Sequence, residues 1–347
     1  MKTPIAFLLL LVAAVSSCKK NSPKPDSKTS NHVYVAGSAG AASDVVYWED
    51  NSLKNLTTNY ANGVGEAIAV NGKDVYVAGY RYSNLNTNSV QVATYWKNGF
   101  AHTLTDTISP SWAIAIAISG SDVYVAGVVT QSNGMRRAAV WKNEVEMPLQ
   151  FGANVVSSEA TGLAVSNSDV YVVGNGATPE FYGIAAYWKN GVETDLNDPY
   201  NSLARATAIT VDGQDVYVAG DVGSQSAAYW KNGTLTALSA DGISSFATGI
   251  QVQNGDVYIA GEAYPLVNGQ TANFVYSMVY WKNGSVVNTD WRNHSSSVMN
   301  VGSMKVIDTN VYVAGSIGVN PVYWNNGRVT KLSSGAGTAM GITVANN

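Results

Sequence analysis

Charge is what this 347-residue chain has least of. Asp, Glu, Lys and Arg together make up 13% of it, about half the usual quarter, which predicts many strands with both faces covered. Cysteine occurs once, at Cys18, so no disulfide within the chain can staple the fold. Histidine occurs three times, at His32, His102 and His294, without metal-ligand spacing, and neither a nucleophile elbow nor a phosphate-binding glycine loop stands in a fitting context. No cofactor and no metal is therefore expected. Proline is sparse (9) against glycine (33), a balance that suits tight turns rather than a disordered chain. Basic residues are outnumbered 20 to 24, which argues against nucleic acid as a partner because phosphate binding needs a basic face.

The N-terminus carries the longest uninterrupted apolar run. Lys2 precedes a core from Ile5 to Val15, long enough for a signal peptide and too short to cross a bilayer stably. Val15-Ser16-Ser17-Cys18 then resembles a lipobox, in which small residues admit the peptidase and the thiol accepts the lipid. Residues 1–17 read as a lipoprotein signal, Cys18 as the lipid-attachment site, and residues 18–31 as a flexible tether with four lysines and one aspartate. An ordinary secretory signal is the competing reading. Lys19 is not an acidic retention signal, so the expected address is the outer membrane of a bacterial envelope, the facing side being open. Residues 32–347 form the body, with 15 basic against 23 acidic residues and a net charge of −8.

Within the body, Asp74-Val75-Tyr76-Val77-Ala78-Gly79 is followed by Tyr95-Trp96-Lys97-Asn98-Gly99, and forms of this pair occur seven times. The first motif begins at Val33, Val75, Val123, Val170, Val216, Val257 and Val311. A period of roughly 40–50 residues marks a propeller blade or a two-helix solenoid unit, and the β-branched and aromatic runs select strands. Each unit holds four short apolar runs. In the second unit they are Ala67–Val70, Val75–Ala78, Ala93–Trp96 and about 101–105, and the Asn98-Gly99 pair marks a hairpin between the last two. The expected fold is all-β, a seven-bladed β-propeller with four antiparallel strands per blade. The chain enters on a second run and leaves on a first run, Ala339–Val344, so the C-terminal strand should complete the N-terminal blade. A monomeric body follows.

Seven of the nine tryptophans fall at one repeat position: Trp48, Trp96, Trp141, Trp188, Trp230, Trp281 and Trp324. They read as wedges between blades in preference to a stacking array for sugars or bases. Asp74, Asp122, Asp169, Asp215 and Asp256, each opening the second run, read as turn caps that accept nearby backbone N–H groups in preference to a ring of metal ligands.

On VYVAG and YWKNG together, the whole body resembles a group of uncharacterised lipoproteins and secreted proteins of Bacteroidota that carry these units. It is also similar to HAF-type extracellular repeats, in which a valine-glycine strand is followed by an aromatic-Trp-x-x-Gly hairpin. The resemblance implies the repeat architecture and no particular chemistry.

Two connections per unit are nearly constant and two vary freely. In an up-and-down blade the variable pair emerges at one end, so one face of the disc is individual, and binding residues concentrate on such loops. That face is expected to carry, among others, Tyr80, Tyr82, Arg136, Arg137, Tyr182, Trp291, Arg292 and His294. It also takes in Trp112, Glu159, Arg205 and Phe246 from a ring at the entry to the first runs, completed by Val64, Asn300 and Thr338. Aromatic platforms mixed with Arg and Glu suit a glycan or an envelope protein, so the expected role is a non-catalytic binding or scaffold module, anchored to the membrane through its lipid. The alternatives are a glycosidase or lyase using carboxylates such as Glu159 with Glu66 or Asp198, and a purely structural assembly scaffold.

Overall fold

The glycine that ends Val-Tyr-Val-Ala-Gly has a steric reason. A Cβ built on Gly79 would lie 2.0 Å from the backbone oxygen of Val64, and on Gly220 it would lie 1.9 Å from that of Arg205. The second strand of a blade passes so close to the first that only hydrogen fits. In the computed structural model, which describes residues 31–40, 43–57, 62–84, 89–152, 154–179, 182–196, 203–223, 226–238, 242–267, 270–271, 277–287, 298–332 and 335–346, this approach recurs in all seven blades.

The chain is a seven-bladed β-propeller. The second blade shows the pattern: inner strand Gly63–Asn71, second strand Asp74–Tyr82, third strand Gln91–Lys97 and outer strand Phe100–Thr103, paired antiparallel in that order. The inner strands of the other blades are Ser111–Ser119, Ser157–Ser166, Ala204–Asp212, Gly242–Gln253, Val298–Ile307 and Gly337–Asn346. Each packs on its two neighbours, which closes a ring around the axis. The last of them, from the C-terminus, pairs with Asn31–Ala39 at the N-terminus, Val33 opposite Val344 and Val35 opposite Ile342, so the expected closure is present.

Second strands are buried on both faces, since each blade is sandwiched between two others. The seven repeat tryptophans, 0–2% exposed, are the wedges: Trp96 packs on Tyr34, Ala36 and Val45 of the preceding blade, and Trp141 on Tyr76, Ala78 and Ala93 of its own predecessor. This burial is what leaves so little room for charge.

The tight-turn face corrects the reading of the aspartates. The backbone N–H of Val75 donates to the side-chain oxygen of Asn98 (2.9 Å), not to Asp74. Asn98, at φ 50° in the third-to-outer turn, in turn donates to Asp74 (2.7 Å), and Lys97 reaches the same carboxylate (3.0 Å) while its ammonium lies 5.2 Å from the Tyr76 ring centroid. Asp, Asn, Lys and Tyr thus clip the two turns of one blade together. The clip repeats at Asp122, Asp169, Asp215 and Asp256. In the seventh blade it is neutral, Asn326 donating to Asn310. In the first its charges are exchanged: Asp50 takes the asparagine position, accepts from the Val33 N–H (2.9 Å) and faces His32 (2.5 Å).

Hydrogen bonds hold the five aspartates below the ordinary carboxylate range, Asn98 foremost at Asp74 and the lysine foremost at the other four. A carboxyl depressed in the folded state contributes stability that is present above its unfolded value and lost as pH falls through the folded one. The aspartates' contribution to the melting temperature should therefore be constant near neutrality and fall away below about pH 4. Replacing all five aspartates by Asn should flatten that acid limb in a thermal-melt series.

Candidate ligand-binding face and axial channel

Inner strands begin, and second strands end, on the variable-loop face. There the seven positions at the entry to the inner strands each have a counterpart on the second strand. Each rim residue lies directly opposite the residue that follows the motif glycine: Val64 opposite Tyr80, Trp112 opposite Val128, Glu159 opposite Asn175, Arg205 opposite Asp221, Phe246 opposite Glu262. Asn300 faces Ser316 and Thr338 faces Ser38 in the same way.

Three side chains converge between the third and fourth blades. Arg136, at the start of a third strand, forms an ion pair with Glu159, and its guanidinium lies 5.1 Å from the centroid of the half-buried Trp112 ring. Beside them is a recess of about 380 Å³ lined by Gly134, Met135, Arg136, Ser158, Glu159 and Asn175. Both charged side chains remain substantially exposed, 54% for Arg136 and 37% for Glu159, and an exposed pair of this kind contributes about 0–1 kcal/mol to stability.

The other expected residues are scattered. Tyr80 and Tyr82 meet edge to face, 5.9 Å apart, on the second blade. Arg205 is exposed beside the buried Asp221, whose carboxyl is pushed up by burial and partly drawn back by that arginine. Phe246 is half-buried on the sixth blade. Tyr182 lies in the third strand Tyr182–Lys189 of the fourth blade, its side chain outside the described part. Trp291, Arg292 and His294 lie outside the described residues, as do Asp198 and Cys18. Among the described residues no three His, Cys, Asp or Glu side chains gather as a metal site would require.

Some of these second-strand counterparts are structural. Asn175 clamps Ala206 of the next blade, accepting from its N–H (2.8 Å) and donating to its oxygen (3.0 Å), and Glu262 accepts from the Val301 N–H (2.7 Å). Burial pushes the Glu262 carboxyl up.

Beneath the rim, every inner strand breaks register, and Gly242–Gln253 and Val298–Ile307 each carry a second break nearer their start. In the second blade Gly65 pairs with Gly79 and Ala67 with Ala78, leaving Glu66 unpaired. The corresponding bulges hold Ile114, Thr161, Thr207, Thr248, Gly302 with Ser303, and Met340. Thr161, Thr207 and Thr248 donate to the backbone oxygens of Ala206, Ala247 and Gly302 in the blades that follow, so these bulges also lace the ring. The axis is a channel of about 510 Å³, with Glu66 and Lys305 on its wall. Sequence reasoning named Glu66 only as a possible partner of Glu159 and passed over Lys305. The signal available was that each breaks an otherwise neutral column of inner-strand residues.

Desolvation raises the Glu66 carboxyl to about 7, although part of its surface stays open to the channel. A carboxyl raised on folding contributes stability that is complete below the unfolded value near 4.5 and lost as pH rises through about 7. Glu66→Gln should thus stabilise the fold at pH 8 by up to about 3 kcal/mol and leave it unchanged at pH 4, as urea titrations at the two pH values would show.

No protein-family model matches the sequence, and no curated protein does. Among solved structures the chain is similar to an acylaminoacyl peptidase in complex with Z-Gly-Gly-Phe-chloromethyl ketone, at TM-score 0.53 and 13% identity, over 88% of this chain and 51% of that one. It is also similar to Pyrococcus horikoshii acylaminoacyl peptidase, at TM-score 0.51 and 12% identity over the same shares. A GH43_1 enzyme from Xanthomonas citri complexed with xylose aligns at TM-score 0.35 and 10% identity, over 67% of this chain and 92% of that one. The likeness is one of fold. The chain spans about half the length of either peptidase, and at such identity a shared propeller says nothing about shared chemistry.

Proposed function

We propose that this propeller is a non-catalytic binding or scaffold module of a bacterial envelope, held at the outer membrane through a lipid on Cys18, and that it takes a glycan or protein ligand on its variable-loop face. The observation that carries the reading is the Trp112, Arg136 and Glu159 cluster beside its recess. An aromatic platform, a planar donor and a carboxylate acceptor together offer stacking and directional hydrogen bonds, the combination that polar, ring-shaped or peptide ligands need. The repeat tryptophans and aspartates are occupied in wedges and clips, so they leave that role to the irregular positions. Glu159 answers Arg136 at the rim, whereas Glu66 lies on the wall of the axial channel, so the two do not present themselves as an acid and base flanking one bond.

Glycan arrays and affinity capture with protein lacking residues 1–18 should give saturable binding without turnover. Release of reducing ends from any bound polysaccharide would contradict the non-catalytic reading. In cells, Cys18→Ala should abolish lipid labelling and membrane retention; continued labelling would refute the anchor.

A further inference from the structure

The axial channel poses a charge problem that the loop face does not. Glu66 and Lys305 both line it, and no hydrogen bond or ion pair within the described residues satisfies either. Around them the wall is neutral: Ile114 and Ile116 are apolar, and the hydroxyls of Thr161, Thr207 and Thr248 are spent on backbone oxygens. Desolvation acts on both groups, pushing the carboxyl up and the Lys305 ammonium down, and neither shift has the other group among its causes. They are therefore separate charges of opposite sign facing one cavity.

Their spacing follows from register. Lys305 lies opposite Tyr312, as Ala69 lies opposite Tyr76 in the second blade. Lys305 is thus three residues farther from the loop face than Glu66, about 10 Å along the strand direction, with two flexible side chains to take up the difference. An extended dipeptide spans about 7 Å, and the channel's volume of about 510 Å³ is in the range of small-ligand sites.

We propose that the channel binds a linear zwitterion of about dipeptide length, with Glu66 receiving its free ammonium group and Lys305 its free carboxylate. A lone cation would answer Glu66 and leave the half-buried Lys305 without a partner, and a lone anion would do the reverse. Only a ligand carrying both charges, spaced apart, relieves both desolvation costs at once. The site is independent of the loop face: it is read from small-molecule heats, whereas the loop-face reading is tested by glycan and protein capture, so each can fail alone.

The test is calorimetric titration of the purified full-length chain in detergent with Gly-Gly, Ala-Ala and 6-aminohexanoate, each also as its N-acetylated and C-amidated form. At least one free zwitterion should bind saturably, and blocking either end should weaken it about 30-fold or more. In Glu66→Gln the N-acetylated and free forms should bind alike, and in Lys305→Met the amidated and free forms should. Absence of saturable binding by every free zwitterion up to about 10 mM, about tenfold above a millimolar dissociation constant, would overturn the proposal. So would equal binding of blocked and free forms by the unaltered chain, a comparison that stands even where a variant does not fold.

Discussion

Trp96→Ala should cost about 3–5 kcal/mol of folding stability, an effect shared with the other wedge tryptophans and larger than that expected of other single side chains here. Trp96 is 1% exposed and fills the seam between the first and second blades against Tyr34, Ala36, Val45, Ile68, Val75 and Val77. Truncation leaves a void that strands on both sides cannot close, because each is fixed in register by its own sheet. Chemical denaturation followed by tryptophan fluorescence would measure it, with Phe100→Ala as control. Phe100 is 76% exposed on an outer strand, and its loss should stay within about 0.5 kcal/mol. If the two variants proved equally stable, the inter-blade wedge would be the wrong account of the repeat tryptophans.

Removal of residues 337–346 should be more severe still and abolish cooperative folding of the whole body. The strand Gly337–Asn346 supplies the entire inner partner of Asn31–Ala39 and packs on both neighbouring inner strands. Without it, Val35 loses the cover of Ala339, Ile342 and Val344, the ring of inner strands is broken, and an edge is exposed for aggregation. Circular dichroism and size-exclusion chromatography of the truncated protein should show a loss of the sharp thermal transition and a shift to large species. Adding residues 337–346 back as a peptide should partly restore the transition.

The frame was legible because its physics is periodic. Val-Tyr-Val-Ala-Gly and Tyr-Trp-Lys-Asn-Gly repeat at every blade, and a chain that begins on a second strand and ends on a first announces its own closure. Contacts between turns were not legible. Asp74 and Asn98 are 24 positions apart, so the sequence offered Asp74 only its own neighbours to cap, while the pairing of strands hands the Val75 N–H to Asn98. The bulges were hidden for a related reason: an extra residue beneath the rim breaks the alternation that would place Glu66. The same break shifts Asp221, Asn175 and Glu262 opposite the rim. Of the face named in advance, Trp112 and Glu159 are brought together through Arg136, while Tyr80, Arg205 and Phe246 stand on separate blades.

The division between a regular frame and an irregular binding face is tested most directly by measuring one ligand's affinity for four proteins. These are the unaltered body, Trp112→Ala, Glu159→Gln and Lys142→Ala, against the strongest binder found by glycan array or capture. The first two substitutions should weaken binding about 10- to 100-fold, the range of a lost stacking or polar anchor. Lys142, clipped to Asp122 on the tight-turn face, should be neutral. Loss of affinity in Lys142→Ala with none in Trp112→Ala or Glu159→Gln would place the ligand on the frame and contradict the account.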